Sequence, residues 1–375
     1  MPNSTPSIKQ ELISKALHEP LSFTGLDFDT LVSLQGDNLL TFDDIRLMME
    51  AIYSINSTIL NENSTEAFTG PLGYLNNKAV AKRLKIFNER VKTLPFDKRV
   101  NILAEGDSWF ELPVGVHEIV GWLLKENPEY AIYSMANGGD WITNIIYDGK
   151  YVAELPIVDP HYFLISGGGN DLVGDNRVAI MVSKNANIPG REGRVAPQHL
   201  PASDHVTKDF FAFLITIKLQ YFMMFRNIHT AFKHTIIITQ GYDYAIPSYA
   251  WRFSLRYPLQ YFVNWVADTG GWLKRPLDIK KIPSNLHTAL VRFFIDEINE
   301  MYISLAQRPE FPNLFHIDCR GTAQSHDDWF DELHLKPYKF RIVANAFQKF
   351  MKGTLDGNLL QQVKQNKTFK VIDVK

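Results

Sequence analysis

Cysteine is nearly absent: Cys319 stands alone among 375 residues. That excludes an intrachain disulfide and any zinc site built on several thiolates, and it suits a reducing compartment. Charge of one sign is lacking too. Lys and Arg total 39 against 41 Asp and Glu, a formal charge of −2, so no general field draws in nucleic acid or an anionic membrane. Long hydrophobic runs are missing. The most apolar stretch, Phe210 to Phe225, is broken by Lys218 and Gln220 and falls short of the ~20 residues that a transmembrane span needs. The start, Met1-Pro2-Asn3-Ser4-Thr5-Pro6-Ser7, has no basic region followed by an apolar stretch. No signal peptide is visible, and the expected location is cytoplasmic. There is no internal repeat and no low-complexity tract.

Aromatic residues, by contrast, make up 13% of the chain and crowd between 205 and 275. A chain of this length buries a sizeable core, read here as one large domain with additions. Residues 1–95 read as a helical N-terminal extension. Ile8 to Leu17 and Phe42 to Ile55 carry apolar residues at helical spacing, with Asp43 as a cap for the second, and Asn76 to Thr93 reads as a basic helix. The extension carries no chemical motif.

From Arg99 onward short apolar runs alternate with helical segments, the pattern of a parallel sheet covered by helices. The predicted strands are Val100–Ala104, Tyr130–Met135, Tyr162–Ser166, Thr235–Thr239 and Leu314–Ile317. The predicted helices are Val116–Lys125, Val206–Phe232, Leu286–Ala306 and Tyr338–Met351. The expected architecture is thus α/β, a five-stranded parallel sheet in a domain spanning 96–352, followed by a tail at 353–375. Four of the strands end in small or polar residues: Gly106-Asp107-Ser108, Asn137-Gly138-Gly139-Asp140, Gly167-Gly168-Gly169-Asn170-Asp171 and Gln240-Gly241-Tyr242-Asp243. In an open parallel sheet ligands bind beyond the carboxyl ends of the strands, so these clusters are predicted to converge on one crevice. Insertions at about 172–202 and 246–283 leave from the same side. The second holds Trp251, Phe253, Tyr257, Tyr261, Phe262, Trp265 and Trp272, which suits a lid, a substrate wall, additional core or a homo-oligomer contact.

A serine hydroxyl needs a base to take its proton, an orienting carboxylate on that base, and donors for the oxyanion. Ser108 follows a predicted strand, where a strand-to-helix turn exposes its hydroxyl; helix capping is its bland reading. Asp107 reads as a turn former. Asp331-Glu332-Leu333-His334 offers a carboxylate and an imidazole at i and i+3. The alternatives there are an exposed acidic loop with Asp327 and Asp328, or a metal site from His326, Asp328, Asp331 and His334, whose spacing matches no standard ligand pattern. Gly139 and Asn170 supply candidate oxyanion donors. No cofactor is expected: Gly167 to Gly169 fails Gly-x-Gly-x-x-Gly because residue 172 is Leu, and no Walker-type loop occurs.

Gly106-Asp107-Ser108, Gly139-Asp140, Gly168-Gly169-Asn170-Asp171 and Asp331-x-x-His334, in that order and each behind its strand, resemble the SGNH (GDSL-type) hydrolase family over about residues 99–352. The resemblance implies a flavodoxin-like three-layer α/β/α core, Ser108 as nucleophile, His334 as base and Asp331 as its orienter. It also implies an oxyanion hole from the Ser108 N–H, Gly139 and Asn170, with Gly138 as the alternative to Gly139. The expected function is hydrolysis of a carboxylic ester, of a lipid or an O-acetylated carbohydrate. The alternatives are an acyltransferase on the same residues and an inactive scaffold of the same fold. Trp109-Phe110, directly after Ser108, predicts an aromatic acyl pocket. Much of 172–234 and 245–310 lies outside the family pattern, and the extension has no counterpart in a minimal member.

Overall fold

Val100 to Glu105 are buried at every position, as a strand covered on both faces must be, and four similar short runs join them in one sheet. The computed structural model describes residues 7–36, 39–53, 71–112, 116–186, 198, 201–248, 271–355 and 370–374. Within them lie β1 (Val100–Glu105), β2 (Tyr130–Ser134), β3 (Tyr162–Ile165), β4 (Ile236–Gln240), β5 (Leu314–Asp318) and β6 (Val371–Asp373). Their order is β2-β1-β3-β4-β5-β6 and every neighbouring pair is parallel. The first five follow the flavodoxin-like order 2-1-3-4-5.

The expected α/β class holds, with one strand more than the five expected. β6 pairs Val371 with His316 and Ile372 with Ile317 at the sheet edge. Three residues of mixed exposure make no apolar run, so the strand leaves no periodic signal and exists only because β5 offers an unpaired edge.

Among the described residues, the α-helices of seven residues or more are α1 (Ile8–His18), α2 (Gly25–Gly36), α3 (Phe42–Tyr53), α4 (Pro71–Thr93), α5 (Ile119–Glu126), α6 (Ile142–Asp148), α7 (Lys150–Val158), α8 (Lys208–Ala231), α9 (His287–Ala306) and α10 (Pro337–Leu355). Neighbouring residues of β3 show the two faces of the sheet. The Tyr162 hydroxyl donates to the Met351 carbonyl of α10 at 2.8 Å, whereas Phe163 packs its ring on Tyr151 of α7. α10 packs on α5, and α9 on α8. Among the described residues, no helix is long and apolar enough to cross a membrane.

α1, α2 and α3 lie against α8. Ser7 and Gln10 close a capping box on α1, a device worth about 1 kcal/mol. At α3 the cap is Thr41 rather than the expected Asp43: Asp44 N–H donates to Thr41 Oγ1 at 3.3 Å, and Thr41 N–H to Asp44 Oδ2 at 2.8 Å. The helix starts at Phe42, two residues earlier than an Asp43 cap would allow, and Asp43 turns out to solvent toward Arg46.

Candidate active site

Each cluster beyond a strand end is tied to the next. Gly106 adopts φ +149, and a Cβ there would stand 2.5 Å from the Ser166 carbonyl oxygen, so only glycine lets β1 pass β3 and turn. Asn137 N–H donates to the Gly106 carbonyl at 2.9 Å, and Asn170 Nδ2 to the Asp140 carbonyl at 3.0 Å. Gly169 N–H donates to the Tyr242 hydroxyl at 3.1 Å, which in turn donates to Asp107 Oδ2 at 2.5 Å. The clusters behind β1, β2, β3 and β4 therefore form one rim.

Ser108 sits in a turn closed by Phe110 and Glu111 N–H, both donating to the Asp107 carbonyl at 3.0 Å. The expected helix start is displaced: α5 begins only at Ile119, capped by Glu118. Ser108 is buried but for 6% of its surface, and its Oγ lies 2.7 Å from His334 Nε2. The other ring nitrogen, Nδ1, lies 2.7 Å from Asp331 Oδ2 and 2.9 Å from Oδ1. An ionised carboxylate only accepts, so Nδ1 carries the proton and Nε2 presents a lone pair toward Ser108. Asp331 is held by its own turn, its Oδ1 accepting from Leu333 and His334 N–H at 2.8 Å each. Burial opposes a charge on His334, yet the negative charge and hydrogen bond of Asp331, with the charge of Asp107, outweigh it and raise the imidazole pKa above its ordinary value.

Gly139 takes φ +89, a backbone open to glycine, and precedes the Asp140 carbonyl that holds Asn170. Asn170 and Ser108 share the lining of one compartment of about 560 Å³, open mouth included; Trp109 and Leu333 also line it, and α9 contributes Val291, Phe294, Ile295 and Ile298.

Asp107 is more than the turn former that its local sequence suggests. Its buried carboxylate accepts from Trp109 N–H at 3.0 Å, the Ser166 hydroxyl at 2.8 Å and Tyr242, joining β1, β3 and β4 directly beneath Ser108. Burial raises its pKa, against those three donors. Glu332 is a second buried carboxylate missed by local reading. It accepts from Ser248 N–H at 3.0 Å and from Leu273 and Lys274 N–H at 3.0 and 2.8 Å, anchoring the loop that bears His334. Arg83 of α4 is a third residue missed by local reading, a buried cation. It pairs with Glu111 at 2.8 Å and with Glu118, and donates to the Phe110 carbonyl at 2.6 Å, so the extension braces the turn after Ser108.

The expectation of an aromatic pocket from Trp109-Phe110 splits. Trp109 lines the compartment, meets Tyr242 edge-on at 5.4 Å and donates from Nε1 to the Leu333 carbonyl at 3.2 Å. Phe110 turns into the core against Phe347. Of the aromatic insertion, Trp251 to Trp265 lie outside the described residues; Trp272 stands edge-on to His334 at 6.4 Å. The acidic loop is not simply an exposed one: Asp328 is buried and accepts from Gln324 N–H at 2.7 Å, Ser325 N–H at 3.1 Å and the Tyr338 hydroxyl. Among the described residues, no group of three His, Cys, Asp or Glu side chains gathers as metal ligands would.

No family model and no curated protein sequence matches the chain. Two solved structures similar to it are a protein provisionally named a GDSL-like lipase, from Parabacteroides merdae ATCC 43184, and one provisionally named platelet activating factor, from Streptococcus pneumonia. The first is 11% identical, covers 66% of this chain and 94% of its own, and has a TM-score of 0.38. The second is 13% identical, covers 74% and 97%, and has a TM-score of 0.37. At those values the likeness carries no functional argument.

Proposed function

We propose that this chain is a serine hydrolase of carboxylic esters of the SGNH type, with Ser108 as nucleophile, His334 as base and Asp331 as its orienter. The observation that carries this reading is the run of contacts Ser108 Oγ to His334 Nε2 to Asp331, each 2.7 Å. Ser108 Oγ attacks the ester carbonyl as its proton passes to His334 Nε2. The carbonyl oxygen takes the negative charge, and the tetrahedral adduct collapses to an acyl-Ser108 as His334 returns the proton to the leaving alcohol. Water then repeats the cycle and releases the acid.

The oxyanion donors in this reading are the backbone N–H groups of Ser108 and Gly139 and the amide of Asn170. The bond from Asn170 Nδ2 to the Asp140 carbonyl supports the role, because it fixes the amide plane before substrate arrives. Asn170→Ala is expected to lower kcat by about 10²- to 10³-fold with KM little changed. A change confined to KM would remove Asn170 from the oxyanion hole.

A fluorophosphonate probe tests the central assignment. The expected result is stoichiometric labelling, mapped to Ser108 by peptide mass spectrometry and lost in His334→Ala. An unlabelled Ser108 in the folded protein overturns it.

A further inference from the structure

We propose that the compartment beside Ser108 receives an aliphatic acyl chain, so that the ester cleaved is one of a fatty acid rather than an acetyl ester. The proposal rests on the hydrolase reading above. His334 Nε2 must stand beside the leaving alcohol to return its proton. The compartment is lined by Ser108 and Asn170 but not by His334, so it opens on the acyl side of the scissile carbonyl.

Its walls are apolar in a particular way. α9 turns one face to it, residues 291, 294, 295 and 298 standing at the spacing of a single helical stripe. Leu172, Val173, Ala245 and Leu273 close the other sides. The polar side chains that do reach it are already committed inside the protein. Asp107 accepts from Trp109, Ser166 and Tyr242. Tyr242 donates to Asp107 and accepts from Gly169. Asp243 accepts from Tyr244 N–H at 2.7 Å, Gly321 N–H at 2.6 Å and Ala323 N–H at 2.5 Å. A hydroxylated or charged acyl group entering here would give up its bonds to water and meet carboxylates that already accept from three donors each. A methylene chain gives up nothing. An acetyl methyl alone would reach little of this apolar wall.

The test is kcat/KM for p-nitrophenyl acetate, butanoate, hexanoate and octanoate. The expected rise is about fourfold per methylene, the gain from moving each CH₂ out of water, until the compartment is full. Ala245→Phe, which projects a ring into the compartment, should cut the octanoate-to-acetate ratio by about tenfold or more. Calorimetric titration of Ser108→Ala with octanoate gives a readout independent of turnover and should show saturable binding. Cleavage of acetate with no gain on lengthening, or no octanoate binding, overturns the acyl-chain proposal and leaves the hydrolase reading standing. Turnover of no ester at any length overturns both.

Discussion

Ser108→Ala is expected to lower kcat for an ester that the parent cleaves by about 10⁶-fold, to the level supported by binding and oxyanion stabilisation alone. The size follows from the arrangement. Without Oγ, His334 has no nucleophile to deprotonate, and its partnership with Asp331 serves no reaction. The substitution is structurally mild, because the turn around residue 108 is closed by backbone bonds to the Asp107 carbonyl that alanine keeps. Steady-state kinetics on purified protein, with urea unfolding as the control, check this. Full turnover by a folded Ser108→Ala protein would rule out Ser108 as the nucleophile.

Asp331→Asn is expected to cost about 10⁴-fold in kcat. Asn keeps the Oδ1 that accepts from Leu333 and His334 N–H, so the turn survives. Its NH₂, however, donates toward His334 Nδ1 and drives the imidazole proton to Nε2, the atom that must be free to accept from Ser108. The pH profile adds a sign. Only neutral His334 acts as base, so kcat/KM rises with pH through the His334 pKa. In the parent, burial pushes that pKa down, but Asp331 and Asp107 push it up by more. The acid limb should therefore lie above the ordinary imidazole value of about 6.5. Removing the Asp331 charge leaves burial less opposed, and the limb should move to lower pH. A profile from pH 5 to 9 that stays in place, or moves upward, would contradict the stated pairing.

The parts of the site that were legible locally are those whose evidence is local. A buried apolar run followed by Gly-Asp-Ser, or by Gly-Gly-Asn-Asp, reads as a strand end with a turn because both halves of the signal lie within ten residues. α6 and α7 give no such signal: Gly149 divides the segment and Pro156 sits inside the second helix, so neither half shows a long apolar period. Asp107 was legible as a turn former and no further, because its donors Ser166 and Tyr242 lie 59 and 135 residues away in sequence. Arg83 was invisible as a brace, since a basic residue in a basic helix carries no sign of the two carboxylates it will meet.

By itself the sequence determined the α/β class, the places where strands end, and the chemical inventory at those ends, because burial, chain turning and side-chain acidity act over a few residues. It also placed Asp331 three residues before His334, and their contact needs little more than one turn. The approach of Ser108 and His334, 226 residues apart in sequence, to 2.7 Å is a product of the folded sheet. That distance depends on β1 and β5 keeping their places in the sheet order, and on Glu332, Trp109 and Asp107 fixing the loops between them. The side chain of Trp109, expected to shape a pocket, also ties the turn of Ser108 to the loop of His334 through the Leu333 carbonyl. A long-range contact of this kind comes from the sum of many packed neighbours, and no short stretch of sequence contains it.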